Sequence, residues 1–358
     1  MTRLSRAEAQ ERNRVRVLAA ARDEFAERGY REAKIDVIAE RAELTRGAVY
    51  SNFPGKRSLY FAVLADLAER APAGETEPGR TTGDALAALA RTWLARLPLS
   101  QDGSPTARLG TDLLPEVLAD EVTRVPYAQL AALDAVLLGL ALERLRPDGR
   151  LVRVAETVLT TLHGASQLAA AAPGFLEPFN VVAACAQLAY LDLEDGWPEL
   201  PFAAPVREVD EVWSPPGGWD SVRGAEVTPA EDGVVAVLGL HRASAVEQAV
   251  RAAPAGAAVT AVLVSGSPRE LVPLARLAVA ELTSCLRQAF PEYAWPRLRV
   301  ICDPEGAMAA AAGVPAVSDS TEVAVRVARG RMVSRAEGYG ACHVVAAAHD
   351  PVRQGFRS

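Results

Sequence analysis

Between Leu44 and Lys56 the chain reads LTRGAVYSNFPGK, a set of residue types suited to meeting a polyanion. Wound as a helix at about 100° per residue, Leu44, Ala48, Val49 and Phe53 gather on one side, and Arg46, Gly47, Tyr50 and Ser51 on the other. The first side is fit for a core. The second offers a guanidinium, a position without a side chain, a phenol and a hydroxyl, none of which gains by burial. Gly47 allows close approach of the helix backbone to a surface, while Arg46 and Tyr50 have the reach and donors for phosphate or base edges. Thr45 stands where its hydroxyl can cap the first turn. Lys56, one of only two lysines in the chain, opens the next helix, where backbone N–H groups already favour an anion.

These residues need a scaffold. The spacing of Ile35, Ile38, Ala39 and Ala42 predicts a helix with one buried face. With the turn at Glu43-Leu44 it forms a helix, a short turn and a second helix, the layout whose second member enters a major groove. A first helix from about Arg6 to Arg28 ends at Gly29, placed as a left-handed cap. Another begins after Pro54-Gly55, with Leu59, Val63 and Leu67 at fourfold spacing.

Residues 12–70 resemble the DNA-binding domain of TetR-family transcriptional regulators, through VLAAARDEFAERGY, VIAERAELTRGAVYSNFPGKRSLY and their spacing. The resemblance implies that 45–52 is a recognition helix, with Thr45, Arg46, Gly47, Ser51 and Asn52 at or near the groove. It also implies that Tyr50 and Lys56 touch the DNA backbone. Two positions depart from the family pattern. Where Thr is frequent this chain has Lys34, exchanging a cap for a phosphate contact. Where Gly is usual it has Glu43, which a positive φ would strain by about 1 kcal/mol.

The charge distribution agrees with a reader at one end. Residues 1–70 hold 14 Lys and Arg against 11 Asp and Glu, whereas the whole chain carries a net −7. An acidic body with a basic end directs only that end to a polyanion. No charge-free run of about 18 apolar residues occurs, so no membrane partner is expected. The charged N-terminus lacks the apolar stretch of a signal peptide, and a cytoplasmic location is the expectation. Four widely spaced cysteines form no C-x-x-C pair, and neither a metal site nor a cofactor is expected.

Three regions follow from composition: a helix-turn-helix domain over 1–70, a helical domain over 84–195, and an α/β domain over 219–350 after a Pro-rich linker, 196–218. In the second, apolar periodicity predicts helices at 85–97, 127–145, 151–171 and 177–193. Resemblance to the family implies dimerisation, with 151–171 and 177–193 as the paired helices, a palindromic double-stranded operator and a small-molecule effector. Trp93, Tyr127, His163 and Gln167 are the candidate effector contacts.

In the third region, strands at 234–240, 258–266 and 297–302, a hairpin over 322–338 and intervening helices at 243–253, 268–289, 304–312 and 340–348 predict a largely parallel sheet. Its order resembles a thioredoxin-like or peroxiredoxin-like fold. LHRASAVEQ (240–248) has no cysteine where a redox member would hold one. The expected function is therefore a ligand-responsive homodimeric repressor, not an enzyme. The alternative is a thiol oxidoreductase, or a redox-sensing regulator using Cys302 or Cys342.

Overall fold

The computed structural model describes residues 6–71, 77–99, 109–196, 202–254 and 256–348. Two compact units emerge: one of residues 1–195 and 267–296, the other of 196–266 and 297–358.

The first unit is helical. Helix α1 (Arg6–Glu32) is interrupted at Gly29, whose φ of 72° and ψ of 169° lie outside what a side chain tolerates. Helices α2 (Ile35–Arg41), α3 (Arg46–Asn52) and α4 (Lys56–Glu69) follow. Val17, Ala21, Phe25, Ile38, Val49 and Phe53 are buried, so the inward faces read from the sequence close one core. In α4 burial is continuous from Ser58 to Ala65 instead of being confined to one stripe. A helix apolar all round must be covered on several sides, and α4 contacts α1 and a helix from much later in the chain.

Helices α5 (Thr82–Leu94), α6 (Leu113–Leu118), α7 (Glu121–Leu145), α8 (Val152–Ala171) and α9 (Pro178–Leu188) complete the segment before residue 195. Short α6 and the first turns of α7 were not expected; Pro126 lies inside α7, where it obscured the periodicity. At Gly139, an added Cβ would lie 2.9 Å from Cα of Val152, so α7 and α8 cross in close contact because this position has no side chain. By length and hydropathy alone α7 could cross a bilayer, contrary to the sequence expectation; 61% of its most apolar window is buried.

After these, the chain supplies the helical unit with α11 (Pro268–Ala289), which packs on α4, α5 and α7. The sequence predicts this helix at the same bounds but assigns it to the sheet domain as a crossover. Its own burial explains the difference. Leu274, Ala275 and the run from Leu277 to Ala280 are all buried, pointing in every direction around the axis.

The second unit contains an eight-stranded mixed sheet: β1 (Arg207–Val212), β2 (Gly218–Asp220), β3 (Ala225–Val227), β4 (Gly233–Gly239), β5 (Ala258–Val264), β6 (Leu298–Cys302), β7 (Glu322–Ala328) and β8 (Arg331–Glu337). The spatial order is β1-β8-β7-β4-β5-β6-β2-β3. Strands β4, β5 and β6 are parallel, and the remaining pairings are antiparallel. Central β4 and β5 are buried on both faces, as their unbroken apolar runs require. Val235, Val237, Val262 and Val323 face Met308, Ala309 and Trp213 in one core. Helices α10 (Val246–Ala252) and α13 (Ala341–Ala347) pack together, and α12 (Ala307–Ala311) borders β5. The residues 207–212, read from composition as linker, form β1 on β8. Arg207, Glu208, Asp210 and Glu211 gave it a loop-like composition, and such charges suit an exposed edge strand.

Candidate nucleic-acid interface and cavity

Thr45 is the N-cap of α3, with φ −77° and ψ 154°, and its hydroxyl accepts a hydrogen bond from Ala48 N at 3.2 Å. Gly47 and Tyr50 are exposed. The Arg46 guanidinium lies 5.5 Å from the Tyr50 ring centroid and 3.3 Å from Asp36 of α2. Both partners are themselves exposed, so Arg46 can leave them for a stronger anion at small cost.

Ser51 and Asn52 both turn back onto α3. Ser51 Oγ donates to the Ala48 carbonyl at 2.8 Å and Asn52 Nδ2 to the same oxygen at 2.9 Å. Lys34, exposed at the N-cap of α2, makes no side-chain cap. Lys56 is not extended into solvent: its ammonium donates to the Arg31 carbonyl at 2.9 Å and lies 4.8 Å from the Tyr30 ring centroid. Burial there pushes its pKa down, against the pull of Glu116, Glu32 and Asp112. Contact with a phosphate requires Lys56 to exchange a carbonyl for that anion.

In the turn, Glu43 has φ 51°, the positive value at which glutamate is strained by about 1 kcal/mol. Its carboxylate meets Arg16 at 2.5 Å, a surface pair that offsets part of that strain. Buried Glu24 ties the same region together. It accepts from Lys34 N at 3.3 Å and lies 3.2 Å from Arg41.

Residues 17–63 match the model for "Bacterial regulatory proteins, tetR family". The N-terminal region is a TetR-family helix-turn-helix. Over 71 residues the chain is 38% identical to the HTH-type transcriptional activator FasR of Mycolicibacterium smegmatis, covering 20% of this chain and 32% of that protein. Over 65 residues it is 46% identical to the HTH-type transcriptional regulator SrpR of Pseudomonas putida, covering 18% of this chain and 30% of that protein. The matches thus span about a third of the length of these relatives. A solved TetR transcriptional regulator from Rhodococcus sp. RHA1 aligns with 51% of this chain and 95% of its own, at 20% identity and a TM-score of 0.36.

Trp93, Tyr127, His163 and Gln167 all line one cavity of about 1180 Å³ in the helical unit. The Trp93 and His163 rings stand edge to face, with centroids 5.1 Å apart, and Trp93 Nε1 donates to Ser166 Oγ at 3.0 Å. Tyr127 lies 6.5 Å from His163 on the other side. Burial lowers the His163 pKa, which keeps the imidazole neutral near pH 7. Most remaining wall is aliphatic, from Leu64 and Leu67 of α4 to Leu113, Leu114 and Leu159.

Sequence reasoning missed the residues that α11 contributes. Glu281 and Gln288 line the cavity. At the other end of the helix, Arg269 donates to the Tyr50 carbonyl at 3.1 Å and also to that of Ser51. Between them, Glu270 meets Arg57 at 2.8 Å and Arg276 meets Glu69 at 2.6 Å, both on α4. The available signal was the apolar run Leu277–Ala280 of α11, which spreads past the single face a crossover helix buries.

Of the thiols, Cys185, Cys285 and Cys342 are buried. Burial pushes Cys185 up to about 11 and Cys285 up to about 12; it also raises Cys342 well above the usual thiol range, with the Glu322 carboxylate adding to the rise. Such thiols supply little thiolate at neutral pH, which weakens a redox role for Cys342.

Proposed function

We infer that this protein is a DNA-binding transcriptional regulator, acting as a homodimeric, ligand-responsive repressor on a palindromic operator. The observation that carries the reading is α3: a helix held by Val49 and Phe53, capped by Thr45, and presenting Arg46, Gly47 and Tyr50 outward from a matched family region. Lys34, Ser51, Asn52 and Lys56 complete the proposed contact set. Dimerisation through α8 and α9 is supported by apolar side chains left uncovered there. Phe179 is 82% exposed and lies on one stripe of α9 with Ala183 and Ala186, and Tyr190, just past the helix end, is 69% exposed.

The cavity around Trp93, Tyr127, His163 and Gln167 serves as the effector site in this reading. A ligand preferring one arrangement of the helical unit would shift the spacing between two readers and release the operator. We read the β5-β4-β7-β8 core, with α10 and α13, as thioredoxin-like and redox-silent. Parallel β4 and β5 followed by the antiparallel β7-β8 hairpin support that order. At the turn after β4, Arg242 pairs with Glu322 at 2.9 Å, where a thiol chemistry would need its nucleophile. Selection from a pool of random duplexes tests the function: enrichment of a two-fold sequence is expected, and no enrichment of any sequence refutes it.

A further inference from the structure

Arg96, just past the end of α5, brings to the cavity wall a guanidinium with donors to spare. Its Nη1 donates to Ser284 Oγ at 2.9 Å and to the Glu281 carbonyl at 3.5 Å, both on α11. Its Nη2 is closed off from solvent and has no acceptor among the described residues. A guanidinium cannot shed its proton, so a buried donor of this kind is costly to leave unmatched. The nearest carboxyl does not match it. Glu281 acts on Arg96 through space, and among the described residues no hydrogen bond joins the two side chains.

The remaining charges of the lining leave the same sign in excess. Arg70 is paired with Asp66 at 2.9 Å, and Glu156 with Arg153 at 2.7 Å. Arg91, exposed on α5, has no ion-pair partner among the described residues. Once those pairs are set aside, Arg91 and Arg96 stand against Glu281. Burial pushes Glu281 up to about 7, so near neutral pH its carboxyl offsets less than one full charge. Away from these groups the wall is aliphatic, with Leu64 and Leu67 of α4, Leu113 and Leu114 of α6, and Leu159 of α8.

We propose that the cavity takes a lipophilic organic anion, its carboxylate-type head on the Arg96 guanidinium and its apolar body along the leucines. A planar carboxylate meets a guanidinium through two parallel hydrogen bonds, and a turn of the Arg96 side chain brings the covered Nη2 to that head. The volume of about 1180 Å³ accommodates a drug-sized molecule. Arg96 also gives the ligand a route to the reader. Through Ser284 it is tied to α11, which holds an α3 carbonyl through Arg269 and grips Glu69 of α4 through Arg276. A head group that draws on Arg96 therefore pulls on the helix that supports α3.

The proposal rests on the effector reading of the cavity, and the test separates the two. Binding of the neutral fluorescent probe N-phenyl-1-naphthylamine to the full-length protein reports the cavity itself. Displacement of that probe is then measured at neutral pH with decanoate and decylammonium, which share one apolar body and carry opposite charges. Decanoate is expected to displace it at a concentration at least about ten-fold lower than decylammonium. In Arg96→Gln the ratio between the two should shrink by about ten-fold. Equal displacement by the two ions, preference for decylammonium, or an unchanged ratio in Arg96→Gln overturns the anion assignment while leaving the effector site in place. Failure of the neutral probe to bind overturns both. Should Arg96→Gln not fold, Arg96→Lys takes its place, keeping the charge and losing the planar fork. Decanoate should then bind at least about three-fold more weakly, and unchanged binding overturns the seat on Arg96.

Discussion

Replacing Arg269 with alanine would test whether α11 supports the recognition helix. The last carbonyls of a helix have no partner within it, and in α3, only seven residues long, Arg269 donates to those of Tyr50 and Ser51. A guanidinium at a helix C-terminus also interacts favourably with the helix dipole. Arg269 is exposed, so the two contributions together are worth about 1 kcal/mol. At 25 °C that is about a five-fold change in the opening equilibrium of α3. Amide exchange read by mass spectrometry on a peptide covering residues 46–53 should therefore quicken about five-fold in Arg269→Ala. Operator affinity should fall by a similar factor, with the slope of log affinity against log salt unchanged. The slope separates the mechanisms, since each lost phosphate contact lowers its magnitude by about 0.9. Unchanged exchange, or a shallower salt slope, would mean that Arg269 does not act by holding α3.

Further outcomes follow from the same geometry. Lys56→Ala should weaken binding to all duplexes alike and lower the salt slope by about 0.9 per lost contact, read by fluorescence anisotropy. Arg46→Ala should also relax sequence preference at one base step in a competition among operator variants. Gly29→Ala forces a side chain into φ 72° and ψ 169° with free space around it, so the cost is backbone strain, about 1–3 kcal/mol by chemical denaturation. Stability should fall as pH rises from about 4.5 to 7. Glu281 takes up its proton more readily folded than unfolded, so the unfolded chain binds fewer protons across that window; Glu281→Gln should flatten the profile.

The reader was legible because its signals are local. Cap, turn and two-faced helix all lie within residues 34–56, and each is fixed by neighbours no more than a few positions away. Even the strained turn showed, since Glu43 stands where a positive φ favours glycine and φ is 51°. Helix α11 was legible as an element and not as a neighbour. Its bounds follow from composition, but nothing in residues 268–289 states that its partners lie two hundred positions earlier. Strand β1 was hidden because an edge strand tolerates the charges of a loop, and only pairing with β8 distinguishes it.

The same division runs through the cavity. Trp93, Tyr127, His163 and Gln167 could be named from a helical segment with polar and aromatic interruptions. Glu281, which lines the same cavity from α11, could not. Sequence determines which residues are able to hold charge and which face of a helix avoids water, because those properties belong to a side chain and its near neighbours. That Trp93, Tyr127 and Glu281 come to line one cavity is decided by packing among α5, α7 and α11, and only the tertiary structure brings those together.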